Sequence, residues 1–119
     1  MSLYKLLDSD FEHEDDRGKL VQLVHDGYKQ VNILYSGRGT LRGKHYHKIS
    51  NEAFYVISGS VNVELNRDRV TEQAIFKKGD FFLIPPYTMH SMNFEEDCIM
   101  ASMYDIPVEK ENGEKDIFN

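Results

Sequence analysis

The stretch Gly39-Thr40-Leu41-Arg42-Gly43-Lys44-His45-Tyr46-His47, followed by Glu52 and then Gly59, decides how this chain is read. Successive side chains of a β-strand point to opposite faces, so His45 and His47 point the same way and can share one ion. A second block follows, in which the turn Lys77-Lys78-Gly79-Asp80 feeds the apolar strand Phe81-Phe82-Leu83-Ile84, and Pro85 and His90 come after it. His45, His47, Glu52 and His90 then form a four-ligand set of neutral imidazole and carboxylate. Such a set suits one divalent metal ion, zinc first, with iron, nickel or manganese as alternatives, and it leaves coordination positions open.

Around these blocks the chain reads as nearly all β. The segments 20–24, 30–35, 53–57, 61–65, 74–76, 81–84 and 99–104 are short and rich in branched or aromatic residues. Turn chemistry at Asp16-Arg17-Gly18, Ser36-Gly37, Ser58-Gly59-Ser60 and Asn66-Arg67-Asp68 separates them. No long helical period is present, and regular short strands of this kind make a sandwich or a barrel. Alternation places His45 and His47 on one face, Glu52, Phe54 and Val56 on one face, and His90, Met92 and Phe94 on one face. The ligand set becomes a polar patch on an apolar wall, with Phe54, Met92 and Phe94 lining a small-molecule pocket.

Composition restricts the function classes. The 119 residues suffice for one core, and they carry a formal net charge of −6, which argues against nucleic acid as a partner. No apolar run reaches bilayer length and the N-terminus lacks a signal-peptide pattern, so the expectation is no membrane partner and a cytoplasmic location. The single cysteine, Cys98, reads as a small buried apolar residue. Residues 109–116 are strongly charged and read as a solvated tail, followed by the apolar pair Ile117-Phe118, which can dock as an anchor or pack on a second subunit.

The two blocks resemble the signature motifs of the cupins. Gly39, His45, His47, Glu52 and Gly59 match the first motif, and Gly79, Pro85 and His90 match the second. Tyr87 stands where the second motif has a small residue, and Asn93 falls one place before its asparagine. The resemblance implies an all-β fold, a single cupin jelly-roll β-barrel spanning 1–119 with its core at about 11–108 and a charged C-terminal tail over 109–119.

Further segments narrow the resemblance. Phe11 to Leu20, Gln30-Val31-Asn32-Ile33 and Leu41-Arg42-Gly43-Lys44-His45-Tyr46 are similar to the opening of dTDP-4-dehydrorhamnose 3,5-epimerases. His45, His47, Asn51-Glu52 and Ser58-Gly59 resemble more closely the metal-binding C-terminal cupin domain of capsular-polysaccharide sugar-nucleotide enzymes. A looser likeness, through Arg42-Gly43-Lys44-His45 and Gly59-Ser60, runs to the dTDP-sugar 3,4-ketoisomerases.

These families imply proton transfer at a carbon next to a ketone, with a nearby cation or hydrogen-bond donor stabilising the enolate. The match to the metal-free epimerases carries the role of base to His45, which also fits as a metal ligand and cannot do both with one nitrogen. With metal bound, the acid or base comes from Tyr46, Tyr55, Tyr87, Tyr104, Lys44, His13, His25 or a hydroxide, and Tyr104 and Tyr55 are the catalytic candidates. Arg42, reaching the pocket only through a bulge or from the rim, and Arg38 are the candidates for a substrate diphosphate. The implied function is an epimerase or isomerase of a nucleotide-activated keto-deoxy sugar in polysaccharide biosynthesis, acting as a homodimer. The alternatives are a metal-dependent oxidoreductase or dioxygenase using the same ligands, and a non-catalytic carbohydrate-binding or sensing cupin.

Overall fold

The computed structural model describes residues 2–119. Eleven strands run in order: β1 (Lys5–Leu6), β2 (Phe11–Asp15), β3 (Gly18–Gln22), β4 (Gln30–Ser36), β5 (Leu41–His45), β6 (Glu52–Ser58), β7 (Ser60–Arg67), β8 (Val70–Lys77), β9 (Phe81–Ile84), β10 (Met89–Asn93) and β11 (Cys98–Tyr104). They form a five-stranded sheet in the order β1-β9-β6-β11-β4, a four-stranded sheet in the order β5-β10-β7-β8, and the separate hairpin β2-β3. The all-β expectation holds, and no helix is long and apolar enough to cross a membrane among the described residues.

Alternating residues of the two larger sheets make the core. On β7 the period-two pattern sends Val61, Val63 and Leu65 inward, and on β6 it sends Glu52, Phe54 and Val56 inward. Phe76, Phe82 and Phe54 form a stack at the centre, with ring centroids 3.7 Å and 5.2 Å apart. β6 is buried on its other face too, where Ala53 packs with Phe81 and Met103 beneath Leu23, Val24 and Tyr28.

The inner face of the five-stranded sheet changes character along its strands. Register sets Leu34 beside Met100 and Val56 at one end, and sets Asn32 beside Ser102, with Tyr104 beside Glu52, toward the other. The apolar end fuses with the core, and the polar end holds the His/Glu cluster.

Three features depart from the sequence reading. β5 stops at His45, and the next residue, Tyr46, bridges to Phe118 instead, so His47 lies just beyond the strand. Residues 109–115 are exposed, but the segment is tied down rather than free: Glu109 bridges to Lys115, and Asp116 is 1% exposed. Tyr87 takes φ +62, the left-handed region in which a side chain costs about 1–2 kcal/mol, so the small residue of the motif has a steric reason here. Its N–H donates to the His47 carbonyl at 2.7 Å and its ring packs on Tyr46 at 6.2 Å, contacts that hold it in that conformation.

Candidate metal centre and substrate cavity

Three segments deliver the cluster. His45 ends β5 and pairs directly with His90 of β10, so both imidazoles leave the same face of the four-stranded sheet. Glu52 opens β6 on the facing sheet, and His47 lies on the connection between β5 and β6. The four ligand atoms lie within 4.8 Å of one another, with His47, Glu52 and His90 buried and His45 partly open. These are the four residues that the sequence spacing brings together as candidate ligands.

The hydrogen bonds around the cluster leave its inward-facing atoms in need of a cation. His90 Nδ1 donates to the Thr88 carbonyl at 3.1 Å, while its Nε2 is buried without a hydrogen-bond partner, 3.5 Å from Glu52 Oε1. With Nδ1 as the donor, a lone pair at Nε2 would point at a carboxylate, an arrangement that a shared cation relieves. His47 Nδ1 donates to the Asp116 carbonyl at 2.6 Å, and its Nε2 faces Glu52 Oε1 at 3.0 Å. Both partners of His47 are acceptors, so Nε2 carries a proton there unless an ion takes its place. Donation of the second ring nitrogen to a carbonyl is also what orients metal-ligating histidines. The residues present fit one divalent ion.

The electrostatics agree. Burial alone would raise the Glu52 carboxyl, but His47, His90 and Ser102 outweigh it and bring it down to about 2. The Ser102 hydroxyl donates to Glu52 Oε2 at 2.5 Å. Burial would lower His47, and the hydrogen bonds to Glu52 and to the Asp116 carbonyl reverse this, leaving it raised. Burial and the neighbouring His90 press His45 down to about 4, so it is a neutral imidazole at pH 7. Burial and the Glu52 charge raise the Tyr104 phenol, which stays protonated.

These directions set a pH dependence. An ion displaces the His47 proton, which burial opposes but the Glu52 and Asp116 hydrogen bonds hold above the ordinary imidazole value, so zinc affinity should climb as pH rises and fall toward acid, read by chelator competition. His45, with its folded value below the model-peptide value, takes up a proton on unfolding, so it lowers the stability of the ion-free protein as pH drops from 6.5 to about 4. His47, shifted the other way, opposes this loss. An affinity independent of pH over that range would contradict ligation by these imidazoles.

A cavity of about 360 Å³ opens on the cluster, bordered by His45, Glu52, His90 and Tyr104 together with Arg42, Phe54 and Met92. Arg42 reaches it through a bulge: His90 pairs with His45 but Met92 pairs with Arg42, so β5 uses three residues where β10 uses two. That extra residue turns Arg42 to the same face as the inward Met92. Its Nε donates to Ser36 Oγ at 2.9 Å, and no carboxylate pairs with it among the described residues.

Three residues expected at the site are not brought to the cavity. Tyr55 alternates to the far side of β6, edge-on to Phe81, and is not brought to the cavity. Arg38 sits on an exposed turn, its N–H held by Asp97 Oδ1 at 2.8 Å, and does not line the cavity. Phe94 is 2% exposed within the core, behind the cavity wall rather than on it. His13 and His25 are exposed beside Asp15 and Asp10, away from the cluster. Asn32 and Ser102 border the cavity and were not singled out from sequence, although both lie on the inward parity of their strands.

The family model described as the polysaccharide biosynthesis C-terminal domain matches residues 13–106. The chain belongs to this family. No curated protein is detectably similar to this polysaccharide biosynthesis C-terminal domain in sequence. Solved structures are similar in fold. The TDP-quinovose 3,4-ketoisomerase from Campylobacter jejuni is 18% identical, with a TM-score of 0.80 over 98% of this chain and 94% of its own. A sugar 3,4-ketoisomerase from Thermoanaerobacterium thermosaccharolyticum in complex with TDP is 17% identical, with a TM-score of 0.78 over 93% and 86%. The dTDP-4-dehydrorhamnose 3,5-epimerase from Sulfolobus tokodaii is 17% identical, with a TM-score of 0.69 over 87% and 75%. At these identities the likeness establishes the fold, and it agrees with the cupin barrel expected from the two motifs.

Proposed function

We propose that this domain is a metal-binding isomerase or epimerase of a nucleotide-activated keto-deoxy sugar. The observation that carries the reading is one cavity bordered both by a His/Glu cluster suited to an ion and by a fixed, carboxylate-free guanidinium. The family's description and the chemistry of the structural neighbours support the substrate class.

His45, His47, Glu52 and His90 would hold the ion. When bound, the ion supplies Lewis acidity at a substrate carbonyl, lowering the barrier to an enolate. Tyr104, protonated and on the cavity wall, is placed to donate a hydrogen bond or a proton to the sugar. Phe54 and Met92 give the sugar ring an apolar surface, and Arg42, tied to Ser36, offers its guanidinium to the diphosphate. Replacing Arg42 by alanine should weaken nucleotide-sugar binding about tenfold or more in calorimetry, with zinc content unchanged. Unchanged affinity in a folded variant would remove Arg42 from the site and favour a smaller substrate without a nucleotide.

The partial opening of His45 to the cavity favours a second reading, in which His45 is the base and the other three residues hold the ion. His45→Ala separates the two. Loss of zinc assigns His45 as a ligand, whereas retained zinc with lost proton exchange assigns it as the base.

A further inference from the structure

The connection between β5 and β6 carries His47 at its start and leads into Glu52, so its conformation sets the distance between two ligands. One side chain organises it. The Asp116 carboxylate accepts three successive backbone N–H groups, Lys48 on Oδ1 at 2.9 Å and Ile49 and Ser50 on Oδ2 at 2.9 Å each. The same residue's carbonyl accepts the His47 Nδ1 proton at 2.6 Å. Its own N–H donates to the Val108 carbonyl at 2.8 Å, and the adjoining chain is pinned by reciprocal hydrogen bonds between Tyr46 and Phe118 at 2.9 Å and 3.0 Å.

We propose that Asp116 is the positioning residue of the ion site, its carboxylate fixing the 48–50 loop while its carbonyl holds His47 as the Nδ1–H form with Nε2 aimed at Glu52. The proposal deepens the metal-binding reading above and rests on it for its effect on the ion. A carbonyl oxygen only accepts, so a hydrogen bond to Nδ1 requires the proton there, and the ring presents Nε2 to the cluster. Loss of the carboxylate frees three successive N–H groups, of which that of Ser50 is buried, and lets both the loop and the carbonyl move. Outer partners of this kind typically alter metal affinity ten- to a hundredfold.

The test uses the whole chain as wild type, Asp116→Ala, Asp116→Asn and Phe118→Ala. Zinc affinity is read by competition with a chromophoric chelator, and the His47 imidazole is read by nitrogen-15 spectra of the ion-free protein. Asp116→Ala should bind zinc about ten- to a hundredfold more weakly and lose the protected His47 Nδ1–H signal. Asp116→Asn, which keeps one acceptor oxygen, should recover part of both. Phe118→Ala removes an aromatic anchor without touching these hydrogen bonds, and should lower thermal stability while leaving zinc affinity in place. A folded Asp116→Ala with wild-type affinity and an unchanged His47 spectrum overturns the proposal. Should that variant fail to fold, Asp116→Asn indistinguishable from wild type in both readouts overturns it equally. If wild type takes up no zinc, the metal reading fails, and the His47 spectra alone decide the role of Asp116.

Discussion

Replacing Glu52 by alanine should empty the ion site. Glu52 is the one carboxylate in the cluster, is 3% exposed, and faces both His47 and His90. Removing it leaves three neutral donors around an ion with no anionic partner. Zinc affinity should fall by more than the roughly hundredfold loss seen when an outer partner is removed. The ion-free protein should lose stability as well, because the Ser102 hydroxyl and the raised His47 imidazole lose a buried partner, a change of about 2 kcal/mol. Glu52→Gln restores the shape and the Ser102 hydrogen bond without the charge, and should recover stability but not zinc. Chelator competition and urea denaturation read the two effects separately. Wild-type zinc affinity in the alanine variant would place the ion elsewhere.

Gly59→Ala should be the most damaging change outside the site. Gly59 joins β6 to β7 at φ +79, and a Cβ there would lie 2.1 Å from the Asp97 carbonyl oxygen and 3.0 Å from Cys98 Cα. Both neighbours are backbone, so neither can turn away as a side chain would. Left-handed strain costs about 1–2 kcal/mol, and the overlap requires a shift of the β6-β7 turn against the chain entering β11, for a total loss above about 3 kcal/mol. A urea midpoint equal to that of wild type would mean that the turn adopts another conformation.

Much of this arrangement was legible in the sequence because it rests on local periodicity. The alternation through Val61, Val63 and Leu65, the turn glycines, and the spacing of His45, His47, Glu52 and His90 each carry their meaning within a few residues. What escaped depends on contacts across the chain. For Arg42 the sequence leaves a bulge or a rim position open, and the choice rests on β5 holding one more residue than β10 between two pairs, a mismatch between two distant strands. Asp116 meets the N–H groups of Lys48, Ile49 and Ser50 across 66 to 68 residues, and backbone donors leave no side-chain pattern to read. Tyr55 shows the converse: a titratable residue between the inward Phe54 and Val56 is grouped with the site by its chemistry, yet it lies three residues past Glu52 and takes the opposite parity.

The proposed function requires that an ion held by this cluster promote proton exchange on a nucleotide-activated keto sugar. Its most direct test is nuclear magnetic resonance of a TDP-4-keto-6-deoxy sugar incubated in deuterium oxide with zinc-loaded wild-type protein, beside zinc-loaded Glu52→Ala and a protein-free control. We predict that solvent deuterium enters at a carbon next to the ketone with wild type, and that the variant and the control exchange far more slowly. Binding of the sugar nucleotide by wild type with no deuterium above the protein-free control would contradict catalysis and leave a carbohydrate-binding domain.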